Sequence, residues 1–169
     1  NIILASKSPR RQQLLKSLGI KFSVQIIEVD EYYSENLKKH EVPVYLAELK
    51  AQPFRNNLSD NDLLITADTV VCLDNQILGK PKNREEAIVM LQSLSNREHQ
   101  VITGVCLSSK LKSHSFFSLT NVRFKPLNYN EIIYYVSEFK PYDKAGAYGI
   151  QEWIGTIGIT HIEGSFYNV

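Results

Sequence analysis

The sequence predicts an α/β protein whose helices flank a long mixed β-sheet. Strand-like apolar runs alternate with helix patterns in the first half, and paired strand-like runs typical of hairpins follow. The chain has 169 residues, of which 43% are apolar and 22% charged, which suits one globular domain with a sizeable core. We therefore expect a single domain over residues 1–169.

The first strand and helix are predicted from apolar spacing and punctuation. Residues 1–6 form a short apolar run typical of a buried strand, and Ser8 then offers an N-cap before Pro9 at the first helical position. Gly19 is a plausible end for this helix. Its predicted apolar face consists of Leu14, Leu15 and Leu18.

The next elements follow the same logic. Residues 21–27 are predicted to be a strand, and a helix is expected to start at Pro43 and to end near Pro53. Its apolar positions are Val44, Ala47 and Ala51. Leu63–Leu73 is a long β-rich run, and Gln76–Leu78 is expected to return beside it as a hairpin.

The second half contains two capping-box patterns. Asn83 with Glu86, and Asn128 with Glu131, each precede an apolar helical face. The buried positions expected on these helices are Ala87, Met90, Leu91, Leu94, Ile132, Tyr135 and Val136.

Strands and a glycine-rich segment account for the rest of this half. Residues 100–109 and Ser113–Phe124 are predicted as paired strands, and residues 143–155 as a Gly-rich loop. Two short strands are expected around Gly164.

Composition excludes several classes of protein. The 19 Lys and Arg against 18 Asp and Glu argue against a general nucleic-acid or anionic-membrane binder, which would need excess basic charge. No run approaches the length of a membrane span. Cys72 and Cys106 lie in apolar segments without metal-ligand spacing, so we expect reduced core thiols and a cytoplasmic location. We also expect that both ends of the chain are trimmed.

The start of the first predicted helix is a candidate phosphate site. A helix N-terminus has unpaired backbone N–H groups and partial positive charge, which favour anions. Ser8 adds a hydroxyl, while Arg10 and Arg11 add guanidinium groups that suit phosphate oxygens. An ordinary capped helix is the alternative, but acidic residues are then expected in the first turn.

Asp68 is a candidate catalytic carboxylate. It lies within a run that otherwise resembles a buried strand, where an unpaired carboxylate costs several kcal/mol. A structural salt bridge is one explanation. A general base or metal ligand is the interpretation we favour, because active sites tolerate such costs.

Two lysines and a glutamine complete the candidate set. Lys50 follows an apolar helical stretch, and Lys80 is held between a glycine and a proline; with the two arginines they could offset the charge of a nucleoside triphosphate. Gln151 offers one donor and one acceptor, as the N3–H and carbonyl edge of uracil or thymine requires. Solvated lysines and a surface glutamine are the alternatives. P-loop, dinucleotide-fingerprint, zinc-protease and nucleophile-elbow motifs are absent.

Together, several segments resemble the Maf family of nucleotide pyrophosphatases. The main ones are LASKSPRRQQLL at 4–15, TADTVV at 66–71, GKP at 79–81 and DKAGAYGIQ at 143–151. Four more match in order: EVDE at 28–31, ELKA at 48–51, HQVITGV at 99–105 and EGSFYNV at 163–169. The AYGIQ segment resembles the branch that acts on dTTP and UTP rather than the branch that acts on 7-methyl-GTP.

The resemblance carries expectations about fold and extent. It implies the inosine-triphosphate-pyrophosphatase fold, with two lobes around a cleft. Because the family usually continues into a C-terminal helix after EGSFYNV, we expect the chain to be shortened at that end.

The resemblance also assigns roles to residues. Asp68 matches the family's proton acceptor, and the positions that select the substrate are Arg10, Thr69 and Gln151. The positions that line the phosphate end are Ser8, Arg11, Lys50 and Lys80. A divalent cation, Mg²⁺ or Mn²⁺, is implied. Asp68 and Glu31 are its expected ligands, with Asp30 a weaker rival to Glu31.

The function that we predict is hydrolysis of dTTP and UTP to monophosphate and pyrophosphate. A non-catalytic nucleotide-binding regulator of cell division is the alternative from another class, since the family name reflects a link to septum formation. A pyrophosphatase for a modified purine nucleotide is a second alternative. The expected partner is a nucleoside triphosphate, with no nucleic acid or membrane, and a homodimer is compatible with the resemblance.

Overall fold

Seven strands form one mixed sheet in a computed structural model that describes residues 1–169. Their bounds are β1 Ile2–Leu4, β2 Ser23–Val24, β3 Leu63–Leu73, β4 Gln76–Leu78, β5 Glu98–Ser108, β6 Ser113–Phe124 and β7 Ile159–Glu163. The order across the sheet is β2-β1-β3-β5-β6-β7, with β4 beside β3. β1 runs parallel to β2 and β3, whereas the β3–β4 and β6–β7 pairs are antiparallel. The predicted mixed sheet is confirmed.

Five α-helices accompany the sheet. They are α1 Pro9–Ser17, α2 Glu41–Ala51, α3 Arg84–Leu94, α4 Tyr129–Phe139 and α5 Trp153–Gly158. Short 3-10 turns cover Gln52–Asn57, Ala145–Ala147 and Phe166–Asn168. No helix is long and apolar enough to cross a membrane.

The chain folds into two compact units. The first contains Asn1–Asp68 and Thr103–Phe117, and the second contains Thr69–Ile102 and Ser118–Val169. Each unit has an apolar core of its own. Cys106 belongs to the core of the first unit, and Cys72 is buried in the second, as expected for two reduced thiols.

In the first unit, α2 packs very close to the sheet. A Cβ atom on Gly104 of β5 would lie 2.3 Å from the backbone of Pro43 in α2, so only glycine allows this approach. The Thr66 hydroxyl of β3 donates a hydrogen bond of 2.7 Å to the carbonyl of Ala47 in α2. The core of this unit consists of Ile3, Ala47, Ala51, Phe54, Leu58, Leu64 and Cys106.

In the second unit, capped helices pack on the sheet. Asn128 and Glu131 form the predicted reciprocal capping box at the start of α4. Asn83 accepts from the Glu86 amide as predicted, but the Glu86 carboxylate accepts from the amide of Lys82 instead of closing the box. The predicted positions are buried on α3 and α4, except that Met90 is only partly so.

Several predicted elements of the first unit differ from the structure. The strand expected over 21–27 is only Ser23–Val24, since β1 offers it a parallel edge of just two residue pairs. α2 begins at Glu41 rather than at Pro43, because the Glu41 carboxylate accepts from the Lys38 amide and closes the first turn. Leu18 is exposed at the end of α1, and Val44 is only partly buried.

Later boundaries also shift. β5 spans Glu98–Ser108, two residues earlier at its start than predicted. The segment expected as a loop over 143–155 contains a 3-10 turn and the start of α5. β7 is one of the two strands expected around Gly164, but the other is a 3-10 turn. The backbone of Ser165 bonds to the side-chain hydroxyl of Thr120 in β6 rather than to the backbone of a strand.

Candidate active site

The start of α1 has the features predicted for an anion site. Ser8 is extended before Pro9, its side chain makes no capping hydrogen bond, and the first turn has no acidic residue. Its backbone N–H donates instead to the hydroxyl oxygen of Ser6 at 3.2 Å. The Ser8 hydroxyl therefore does not cap α1, and the start of the helix keeps its partial positive charge.

Arg11 links this helix to the strand that carries Asp68. Its Nη1 donates to the carbonyl oxygen of Ala67 at 2.7 Å and to the buried Ser6 hydroxyl at 3.4 Å. Burial lowers the pKa of Arg11. The negative charge of Asp68 raises this pKa, and the positive charge of Arg10 lowers it further. The guanidinium remains cationic, because arginine is not deprotonated in proteins. Part of its donor capacity therefore holds the backbone just before Asp68.

Asp68, Lys50 and Glu31 form a compact charged cluster. Lys50 Nζ lies 2.6 Å from Asp68 Oδ1 and 3.0 Å from Glu31 Oε1. The side chains of Asp68 and Lys50 are mostly buried, at 14% and 18% exposure, whereas Glu31 is half exposed. Asp30, the rival carboxylate, is exposed, and its backbone carbonyl accepts from the amide of Tyr32.

Burial dominates the electrostatics of Asp68. It raises the pKa of this carboxyl group, while the Lys50 ammonium and the Arg11 guanidinium act in the opposite direction. A carboxylate with a raised pKa is a stronger proton acceptor than a solvated one. The cluster therefore combines a basic carboxylate with two cations, which is suited to chemistry on an anionic substrate.

Thr66 was missed as a contributor to this cluster. Its hydroxyl donates to the Ala47 carbonyl and so holds α2 against β3, the strand that carries Asp68. Lys50 lies on the last turn of that helix. The available signal was a threonine in an apolar strand two residues before the carboxylate, where a buried hydroxyl needs a partner. The hydroxyl oxygen of Ser6 is also engaged within the protein, since it accepts from the Ser8 amide and from the Arg11 guanidinium.

The other predicted residues belong to the second unit. Thr69 is half-buried in β3, Lys80 is exposed after β4, and Gln151 is exposed in a turn before α5. Their segments come together, because the Gly146 amide donates to the Gly79 carbonyl at 3.0 Å. Gly146, with a φ of +68°, also lies against Val71, which a Cβ would approach to 3.0 Å.

The predicted site residues thus form two groups, one in each unit. The first unit brings together Arg10, Arg11, Glu31, Lys50 and Asp68, with Ser8 at the same helix start. The second unit brings together the segments that carry Thr69, Lys80 and Gln151.

Comparison with solved structures supports the fold. The Ham1 protein of Staphylococcus aureus aligns with 73% of this chain and 71% of its own, with a TM-score of 0.52 and 19% sequence identity. At this identity the likeness concerns the fold alone, and it agrees with the predicted fold class.

Comparison with curated proteins gives closer relatives. The dTTP/UTP pyrophosphatase of Parabacteroides distasonis is 52% identical over 169 residues, which cover 99% of this chain and 88% of that protein. The dTTP/UTP pyrophosphatase of Flavobacterium psychrophilum is 51% identical over 168 residues, which cover 99% and 86%. Both names state the activity of the branch that the AYGIQ segment at 147–151 resembles. A family model described as Maf-like protein matches residues 1–169, and the chain therefore belongs to the Maf-like protein family.

Proposed function

We propose that this chain hydrolyses dTTP and UTP to the nucleoside monophosphate and pyrophosphate. The observation that carries the proposal is the buried Asp68 carboxylate beside Lys50 and Arg11. Relatives about half identical over almost the whole chain are named for this activity. A carboxylate and cations in this arrangement supply a proton acceptor and charge for a phosphoanhydride.

Asp68 is the proposed general base. It accepts a proton from water as the water oxygen forms a bond to the α-phosphorus. The bond between that phosphorus and the α–β bridging oxygen breaks, and pyrophosphate leaves with the electron pair. The raised pKa of Asp68 suits this step, because a proton acceptor works best when its pKa approaches the working pH.

The cations are proposed to stabilise the triphosphate. Arg10, Arg11 and the Ser8 hydroxyl lie at a helix start that favours anions. Lys50 has three N–H donors, so it can hold two carboxylates and still donate to a phosphate oxygen. Lys80 is exposed and available for the same purpose. Charge that develops on the leaving pyrophosphate is then met by positioned donors.

The carboxylate pair fits a divalent cation such as Mg²⁺ or Mn²⁺. Asp68 and Glu31 both reach the same Lys50 ammonium, so their oxygens converge on one place that attracts positive charge. No three His, Cys, Asp or Glu side chains converge as metal ligands, but Mg²⁺ typically takes one or two carboxylates and completes its shell with water and phosphate. When bound, the cation would neutralise phosphate charge.

Substrate selection is proposed for Arg10, Thr69 and Gln151. The Gln151 side chain is exposed, and its amide can donate to a carbonyl and accept from the N3–H of uracil or thymine. Cytosine presents an acceptor at N3 and a donor at N4, which is the opposite pattern, so an amide held in one orientation matches uracil and thymine but not cytosine.

A nucleotide panel with Mg²⁺ tests the activity, and Asp68→Asn tests the base. We expect dTTP and UTP to be cleaved in preference to CTP and purine triphosphates. We expect Asp68→Asn, which keeps size but cannot accept the proton, to lower kcat by roughly 10²–10⁴-fold. Asp60→Asn, an exposed carboxylate paired with Lys110, is the matched control and should retain activity. Unchanged kcat in Asp68→Asn would contradict the assigned role.

A further inference from the structure

A buried polar network lies beneath the segment that carries Gln151. Tyr135 of α4 is fully buried, and its hydroxyl donates a hydrogen bond to Glu152 Oε2. The same hydroxyl oxygen accepts from the Gly149 amide at 3.1 Å. Lys144 Nζ lies 3.0 Å from Glu152 Oε1 and 2.7 Å from Asp143 Oδ1. All of these groups belong to the second unit.

This network is costly to bury. The Lys144 side chain is only 9% exposed, and Tyr135 is part of an apolar core in which phenylalanine would fill the same space without a hydroxyl. Replacing buried ionic groups by apolar ones is often neutral or stabilising, so stability alone does not account for the arrangement. Burial and the Glu152 carboxylate also raise the pKa of Tyr135, which keeps its hydroxyl a hydrogen-bond donor.

The hydrogen bonds of the network end on both sides of Gln151. Tyr135 holds the backbone of Gly149, two residues before it, and the carboxylate of Glu152, directly after it. The Glu152 amide donates to the Gly149 carbonyl at 3.1 Å and closes the turn between them. A Cβ on Gly149 would lie 3.2 Å from both Glu152 and Lys144, so this backbone packs directly on the network.

Gln151 itself is exposed at this turn. Its place is therefore set by its neighbours, since the buried contacts of the turn are made by residues 149 and 152. A side chain that reads a base by two hydrogen bonds must be held to within a fraction of an ångström, and such precision comes from the residues that support it.

We propose that Tyr135 and Glu152, with Lys144, are positioning residues that hold Gln151 for recognition of the pyrimidine base. This inference rests on the proposed role of Gln151 in the proposed activity. Loss of the network lets the turn adopt other conformations, which weakens discrimination between bases. The reaction at the phosphates does not need the base and is left largely intact.

Tyr135→Phe is the variant of choice, because it keeps the ring and removes only the hydroxyl. We expect kcat/KM for UTP to fall roughly tenfold, mainly through KM, while kcat/KM for CTP changes less than twofold. Selectivity for UTP over CTP thus decreases by about the same factor. Tyr129→Phe, on the exposed side of the same helix, is the matched control and should leave both values unchanged.

A double variant separates positioning from a merely structural effect. If Tyr135 acts through Gln151, then Tyr135→Phe causes no further loss of selectivity in a Gln151→Ala background. Glu152→Gln keeps an acceptor for the Tyr135 hydroxyl and should lose less selectivity than Glu152→Ala. This second pair gives the same information if Tyr135→Phe folds poorly.

The outcomes distinguish this inference from the proposed function. Equal losses of kcat/KM for UTP and CTP in Tyr135→Phe, or an additive loss in the double variant, would overturn the positioning role while the activity stands. Unaltered selectivity in Gln151→Ala would overturn both the reading of the base by Gln151 and this inference. No cleavage of any nucleotide by the wild type would overturn the proposed function and, with it, the inference.

Discussion

His99 shows at the scale of one residue how burial controls a titration. Its ring is buried in β5, stacks on Phe124 at a centroid distance of 5.6 Å and places Nε2 2.7 Å from the Tyr148 hydroxyl. Its Nδ1 is buried without a hydrogen-bond partner. Desolvation lowers the pKa of His99 from 6.5 to about 4, because the charged ring would lose its water in this core.

Stability is therefore expected to depend on pH through His99. Between pH 6.5 and about 4 the unfolded chain binds a proton at this residue and the folded protein does not, so the free energy of unfolding falls as pH falls. The contribution of the neutral His99 ring to the free energy of unfolding is fully present above pH 6.5. Roughly 3 kcal/mol of it is lost as the pH falls from 6.5 to about 4.

Urea unfolding of His99→Gln at pH 7 and pH 4.5 checks this expectation. The variant should lose less stability between the two pH values than the wild type does. His114→Gln, at an exposed histidine of β6, should behave like the wild type. Equal pH dependence in His99→Gln and the wild type would show that His99 is not the responsible group.

At the scale of one element, α2 connects the core to the charged cluster. Its buried face includes Val42, Leu46 and Ala47, and its last turn carries Lys50 to Asp68. Gly104 lets the helix approach β5, and Thr66 fixes its distance from β3. The position of Lys50 thus depends on the contact between helix and sheet.

Gly104→Ala is expected to destabilise the protein. The added methyl group would lie 2.3 Å from the Pro43 backbone, which no rotamer change can relieve, so α2 must move. We expect a loss of about 1–3 kcal/mol in the free energy of unfolding. Activity should also fall, because Lys50 moves with the helix.

Chemical denaturation of Gly104→Ala beside Gly79→Ala measures this effect. No atom lies within 4 Å of the Cβ position on Gly79, so the control should retain the wild-type free energy of unfolding to within about 1 kcal/mol. Comparable stability of the two variants would contradict the close approach of α2.

The elements that the sequence predicts well are those with strong local signals. The bounds of β3, β4 and β6 agree with prediction, since each is a β-rich run with a turn beside it. α4 was predictable from its capping box and its buried face. The second strand was overestimated, because the apolar residues Ile26 and Ile27 are exposed and tertiary pairing ends at Val24.

The candidate site was predictable as a set of residue types more than as a geometry. The cost of placing a carboxylate within an apolar strand singled out Asp68 without any knowledge of its neighbours. Its ion pair with Lys50 and the bond from Arg11 to Ala67 join residues far apart in sequence. Local patterns contain no information on such contacts, and the buried network of Tyr135 and Glu152 was missed for the same reason.

At the scale of the whole molecule, a formal net charge of only +1 hides a local concentration of charge. The first unit gathers Arg10, Arg11 and Lys50 around the carboxylates of Asp68 and Glu31. The second unit holds the Gln151 turn on a separate core. The match to the Maf-like family covers both units, since it extends over residues 1–169.

In the proposed reaction, water attacks the α-phosphorus of a pyrimidine nucleoside triphosphate with Asp68 as the base. Hydrolysis of dTTP in ¹⁸O-labelled water, followed by mass spectrometry of both products, tests this most directly. We predict one ¹⁸O atom in dTMP, none in pyrophosphate, and a turnover that Asp68→Asn lowers by roughly 10²–10⁴-fold. Label in pyrophosphate, or release of orthophosphate as the first product, would contradict the account.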